Sequence, residues 1–311
     1  MNFSPDDLPE YPTPSPTPAD AVPVWGRAPS PVQAEQSSAD AGGHTNSGLA
    51  AAATHFPDAQ PAELIRIAPD PAWTGWDILR LIFLTIVALF VGVFAALLVA
   101  CIWVYPHTAL GEIARVPLVS VAGQSLAYLL ILAYMYVLVT RERRRPDFLA
   151  ALHWNWPSNI AVYVFAGFAL SLALQALAHF LPIPKELPID SFFRTPAEAW
   201  ALSILSVTLA PLMEELFFRG FLYPVLARRL GLPIAVFVTS LGFALLHVAQ
   251  LGRAWGPVLM IFLVGIVLTT VRAKTNSVAA GVLIHMAYNG TITVAMFAAT
   301  DGFRHLEKLN Q

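Results

Sequence analysis

LIFLTIVALFVGVFAALLVACIWV, residues 81–104, contains no formal charge and no proline, and the uncharged run continues to Gly111. About 20 helical residues, rising 1.5 Å each, cross a hydrocarbon core of roughly 30 Å. The run is continuously apolar and lacks the alternation of a barrel strand. It therefore reads as a transmembrane helix, the element that satisfies its own backbone hydrogen bonds in lipid.

Outward from this stretch the pattern repeats. Residues 116–140, 148–184, 230–252, 254–271 and 275–300 are also free of Asp, Glu, Lys and Arg. The 311-residue chain is 57% hydrophobic and only 12% charged, with mean hydropathy +0.62. A water-soluble domain carries about 25% charged residues. The expected fold is an all-α polytopic membrane bundle of about seven transmembrane helices, eight if a re-entrant or further span is present. The seven lie near 79–104, 117–140, 158–181, 198–228, 231–249, 254–272 and 276–298. A pI of 6.4 and the absence of any basic patch beyond one short loop exclude nucleic acid as a partner. Cys101 is the single cysteine, so no internal disulfide or CxxC site exists, and it reads as a buried thiol.

The first 71 residues differ in kind. They hold 13 of the 25 prolines, mixed with Ser, Ala, Asp and Gln. Such a segment cannot bury enough apolar area to offset ordering entropy, so a disordered tail is expected over 1–71. Acidic Asp6, Asp7 and Glu10 after Met1 do not fit a secretory signal. The expected organisation is this tail, a transmembrane domain over 72–300 with a catalytic core near 198–292, and a short C-terminal tail over 301–311. Trp73 and Trp76 read as interfacial anchors.

Residues 1–80 carry ten acids against three bases, and the rest of the chain ten acids against fifteen bases. Arg141-Glu-Arg-Arg-Arg145 is the strongest orientation signal, and the positive-inside rule places it in the cytoplasm. Arg80, Arg228, Arg229, Arg272 and Lys274 then share that side, while Arg115, Lys185, Arg194 and Arg253 lie opposite. The expected location is the plasma (inner) membrane, with the N-terminal tail cytoplasmic.

Against this background a few polar residues stand out, because an ionisable group inside a span costs at least about 2.5–3.5 kcal/mol on insertion scales. They are Glu214, Glu215, Arg219, His247, His285 and Asn289. Counted from the arginine-marked ends, Glu214, His247 and His285 lie roughly 22, 27 and 17 Å into the membrane, depths that overlap once tilt is allowed. Glu215 and Arg219 are spaced i, i+4, so they share a helix face and neutralise one another. Glu214, rotated by about 100°, is left to face a cavity as a reactive carboxylate. His285 and Asn289 repeat the i, i+4 spacing and both can donate hydrogen bonds. Two donors opposite a carboxylate and a histidine suit attack of water on a carbonyl.

Glu214-Glu-Leu-Phe-Phe-Arg219, Phe243-Ala-Leu-Leu-His247 and His285-Met-Ala-Tyr-Asn289 resemble the EExxxR, FxxxH and HxxxN motifs of the CAAX-protease and bacteriocin-processing family of intramembrane proteases, in that family's order. The resemblance covers about 198–292. It implies an intramembrane endopeptidase, like a CAAX prenyl protease, acting on a membrane-associated or prenylated protein or peptide. By motif position, Glu214 and His247 would activate water and His285 and Asn289 would hold the oxyanion, with Glu215, Arg219 and Phe243 in support. Glu214, His247 and His285 would also be the ligands if zinc were used, although no HExxH segment exists. The favoured expectation is activation without a metal or other cofactor. The alternative function is a non-proteolytic membrane scaffold or bacteriocin-immunity-type protein. Proton-coupled transport is disfavoured because inverted repeats are not evident.

Overall fold

The computed structural model describes residues 71–184 and 186–310, and every regular element among them is helical. The expected tail over 1–71, apart from Pro71, lies outside the described residues, as does Lys185. The elements are α1 (Gly75–Val99), α2 (Leu110–Ile113), α3 (Pro117–Val137), α4 (Phe148–Ala151), α5 (Ile160–Ala178), α6 (Pro196–Val207), α7 (Leu209–Glu215), α8 (Tyr223–Leu230), α9 (Leu232–Leu246), α10 (Trp255–Thr275) and α11 (Val278–Ala299). Wider π turns extend α1 over Ala100–Val104 and α3 over Leu138–Glu142, and another joins α7 to α8 over Leu216–Leu222.

Six stretches among the described residues are long and apolar enough to cross a membrane: Gly75–Val104, Pro117–Glu142, Ile160–Ala178, Pro196–Leu230, Trp255–Thr275 and Val278–Ala299. The chain is an all-helical integral membrane protein. The run expected to span 231–249 instead forms the 15-residue helix α9, about 22 Å long. It begins at Gly231, whose φ of +78° is open to glycine at no steric cost. It ends where the His247 ring Nδ1 lies 2.9 Å from the Phe243 carbonyl and the chain turns over.

The stretch expected as one helix over 198–228 is divided by its own prolines. Pro211 has no N–H to donate to Val207, and its ring crowds that carbonyl. The chain breaks at Thr208 (φ −116°, ψ −83°). Pro224 likewise cannot donate to Gly220, and immediately before it the π turn carries the Tyr223 N–H to the Phe218 carbonyl. Glu214 and Glu215 thus lie between the break at Thr208 and the π turn, and Arg219 within the π turn, the kind of segment where functional side chains are often presented.

Helix pairs close the bundle: α1 on α3, α5 on α11, α9 on α10. At the α1–α3 crossing a Cβ on Gly92 would come within 2.2 Å of the Gly123 carbonyl, so only glycine permits this backbone approach. One end of the bundle gathers the start of α1, the end of α3, the α8–α9 turn and the α10–α11 turn. There Arg143 donates to Asp77 (2.6 Å), Arg80 to Glu142 (2.9 Å), and Asn155 to the Asn276 carbonyl (2.9 Å). The opposite end holds α2, the 3₁₀ turn Pro188–Phe192 and the α9–α10 turn, joined where the Ile189 N–H donates to the Gln250 carbonyl (3.2 Å).

Two expectations change here. Trp76 is exposed, as an interfacial anchor should be, but Trp73 is 2% exposed. Its indole N–H donates to the Phe221 carbonyl in the π turn (2.9 Å). Arg272, expected among the bases on the cytoplasmic side, is fully buried.

Candidate active site

The site is built on the end of α7, on the π turn that follows it and on the faces of α9, α10 and α11 turned toward them. Glu215 and Arg219 have no accessible side-chain surface, and Arg219 Nη1 donates to Glu215 Oε1 at 2.8 Å. Two buried charges in a low-dielectric setting persist only with close pairing and further hydrogen bonds. The guanidinium obtains these from α10: Nε donates to the Thr269 hydroxyl (3.2 Å) and Nη2 to the Gly265 carbonyl (3.1 Å). The Phe243 ring covers its face, with the guanidinium carbon 4.8 Å from the ring centroid, a cation–π arrangement.

Glu215 does more than neutralise Arg219. Its Oε1 also lies 3.1 Å from His285 Nδ1. A proton on Nδ1, donated to Glu215, fixes the imidazole and turns Nε2 toward Glu214, whose Oε2 is 3.7 Å away. The histidine on α11 therefore stands between the two adjacent glutamates. The Glu214 side chain is 20% accessible where that of Glu215 is closed off, so the adjacent carboxylates have different surroundings.

Glu215 Oε2 has no hydrogen-bond partner and faces Gly281, where a Cβ would lie only 2.6 Å from it. Glycine at 281 makes the space that this carboxylate occupies.

His247 is the first residue beyond α9 rather than a residue within a spanning helix, and it is half-buried. Phe243 joins it to the cluster: the Phe243 ring lies 5.0 Å from the His247 ring and 5.7 Å from the His285 ring, centroid to centroid. Asn289, one turn beyond His285, donates its amide to the Ser206 carbonyl of α6 (2.7 Å). One amide N–H serves that bond and the second is left for another acceptor.

The π turn is also held from behind. Arg272 Nε donates to the Arg219 carbonyl (3.1 Å) and Nη1 to Asn276 Oδ1 (2.6 Å). Sequence reasoning missed Arg272 and Trp73 as supports, and Thr269 and Gly281 as well. The i, i+4 spacing of Arg272 and Asn276 was a usable signal. For Thr269 and Gly281 no local pattern exists.

Among the described residues no group of three or more His, Cys, Asp and Glu side chains is placed to hold a metal ion. Of the possible zinc set of Glu214, His247 and His285, the two histidines have Nδ1 engaged, by the Phe243 carbonyl and Glu215 respectively, and His285 Nε2 lies 3.7 Å from Glu214 Oε2.

Residues 196–291 match the family model described as type II CAAX prenyl endopeptidase Rce1-like, a segment running from the start of α6 into α11. No curated protein and no solved structure gives a significant match to the chain.

Proposed function

We propose, from the Rce1-like character of residues 196–291, that the protein is an intramembrane endopeptidase of the CAAX prenyl protease type. Its substrate is a membrane-associated protein or peptide, with prenylated C-termini the leading class. The observation that carries the reading is the Glu214–His285–Glu215–Arg219 cluster, an accessible carboxylate backed by a fully buried, charge-balanced support.

In this reading Glu214, aided by His247, takes a proton from a water molecule as its oxygen adds to the scissile carbonyl carbon. The carbonyl π pair moves onto oxygen, and His285 Nε2–H and the free Asn289 N–H stabilise the resulting oxyanion. Collapse of that intermediate breaks the C–N bond, and the proton held by Glu214 passes to the departing amine. Glu215 and Arg219 orient His285 without touching substrate.

We further propose that water activation needs no metal, supported by the finding that among the described residues no three His, Cys, Asp or Glu side chains are grouped to hold an ion. Cleavage should persist in 1,10-phenanthroline; inhibition reversed by added zinc would overturn this part. The deciding experiment compares membrane-peptide termini from cells carrying wild type or Glu214→Gln. The variant should insert normally and lose cleavage by a factor of about 100 or more, the scale of a general base. Full complementation by Glu214→Gln would replace the protease reading with a binding role.

A further inference from the structure

At the bundle end opposite the Asp77–Arg143 contact, Arg115, Ser120, Ser191, Phe192 and Arg194 line a cavity of about 190 Å³. Arg115 follows α2, Ser120 lies in the first turn of α3, and Arg194 immediately precedes the cap of α6. No acidic residue lines the cavity. The acids nearest in sequence to Arg194 are already engaged as caps: Asp190 accepts from the Leu187 N–H (2.6 Å) and Glu198 from the Thr195 N–H (2.9 Å). Among the described residues neither Arg115 nor Arg194 makes a hydrogen bond, ion pair or ring contact.

Five bases are described at this end, Arg115, Arg194, Arg253, Arg304 and Lys308, and two of them, Arg115 and Arg194, share one concavity. Two like charges at one site repel, and no acid lines the cavity to offset them there, the nearest acid to Arg115 in sequence being Glu112 of α2. The Ser120 hydroxyl is free to donate, whereas that of Ser191 is given to the Pro188 carbonyl (2.7 Å). The first turn of α3 has no side-chain cap and adds its partial positive charge on the same side.

Depth identifies the anion's source. Ile113 and Val119, on either side of the α2–α3 corner, pack with Cys101 and Tyr105 at the end of the first span, where Trp103 is 75% exposed. Exposed Trp and Tyr mark the headgroup layer. Leu110 and Leu118 beside the corner are exposed apolar surface suited to acyl chains.

We propose that this cavity binds the phosphate of an anionic phospholipid, with Arg115 and Arg194 as guanidinium donors and Ser120 as a hydroxyl donor. Guanidinium matches phosphate geometry by paired N–H donors. The site is separate from the glutamate–histidine cluster and its test does not depend on proteolysis.

The test titrates the full chain in mild detergent with phosphatidylglycerol or phosphatidylcholine and counts bound lipid by native mass spectrometry. Wild type should prefer phosphatidylglycerol, and R115Q/R194Q should bind it about tenfold more weakly. Binding of phosphatidylcholine should be equal in both proteins. R194Q alone, changed in a connection between helices, should give an intermediate loss and guards against misfolding of the double variant. Equal phosphatidylglycerol binding by wild type and R115Q/R194Q overturns the proposal. Inorganic phosphate that raises the unfolding temperature of the wild type as much as phosphatidylglycerol does would overturn the lipid assignment.

Discussion

Glu215 is the residue on which the site turns. One of its oxygens meets both Arg219 and His285, and the other occupies the space left by the missing side chain at Gly281. The carboxylate cannot swing aside to admit a methyl group, because Oε1 is held by two partners on different helices. Gly281→Ala should therefore displace Glu215 and rotate His285. Misplacement of a catalytic group by about 1 Å can cost 100-fold in rate, and a loss of that order is expected while the protein still inserts. Wild-type cleavage by Gly281→Ala, measured on the substrates found by the terminus comparison, would show that Glu215 does not position His285. Breaking the buried pair itself is a stability matter: Arg219→Met should destabilise by roughly 3–5 kcal/mol, because it strands Glu215 without its counter-charge. Thermal unfolding checks this directly.

At the scale of elements, the informative unit is the π turn Leu216–Leu222 between Pro211 and Pro224. Helix irregularities free backbone carbonyls, and in a buried setting those carbonyls must find donors. Two of them are served by side chains from far along the chain, Arg219 O by Arg272 and Phe221 O by Trp73. Trp73→Phe keeps the aromatic bulk and removes the N–H, which should cost about 1–3 kcal/mol for the unsatisfied carbonyl. An unchanged unfolding midpoint would mean that the indole hydrogen bond does not hold the turn. Glu215 and Arg219 were readable as a pair because i, i+4 is a local relation. Of the support behind them only the i, i+4 pairing of Arg272 with Asn276 was readable, since nothing in the spacing of Trp73 or Arg272 says which distant carbonyl each would meet.

For the whole molecule, the two ends of the bundle differ in charge. Arg80, the Arg141–Arg145 loop, Arg228 and Arg229 belong to the end where α1 begins, and Arg115, Arg194, Arg253, Arg304 and Lys308 to the other. With Cys101 replaced by serine, cysteines at 144 and 253 should react with impermeant thiol reagents from opposite sides of the membrane, with position 144 labelled only after the cytoplasmic face is opened. Labelling of both from one side would contradict the positive-inside orientation. The first end also contains a titrating contact. His153 Nδ1 lies 3.2 Å from the Asn276 amide, and Asn276 in turn accepts from Arg272. Burial, reinforced by the charge of Arg272, holds the His153 imidazole below its usual value of 6.5. The unfolded chain then takes up the proton first, so this contribution to stability is complete above about pH 6.5 and declines as pH falls below it. Unfolding midpoints between pH 7.5 and 5 should drop less steeply for His153→Gln than for wild type, and parallel curves would remove His153 from the account.

The sequence by itself determined the membrane class, the all-helical fold and the polar residues worth attention. Each rests on a local quantity: the length of an apolar run against the thickness of a bilayer, and the cost of placing a charge within it. It overestimated α9, because composition does not register where a histidine ring meets the last turn and the chain reverses. Tertiary structure alone decided that His285 stands between Glu214 and Glu215, that Asn289 is tied to α6, and that Trp73 and Arg272 hold the π turn. Those outcomes depend on which helix faces meet. Residues 70 or 148 positions apart in the chain become hydrogen-bond partners only once the helices have packed.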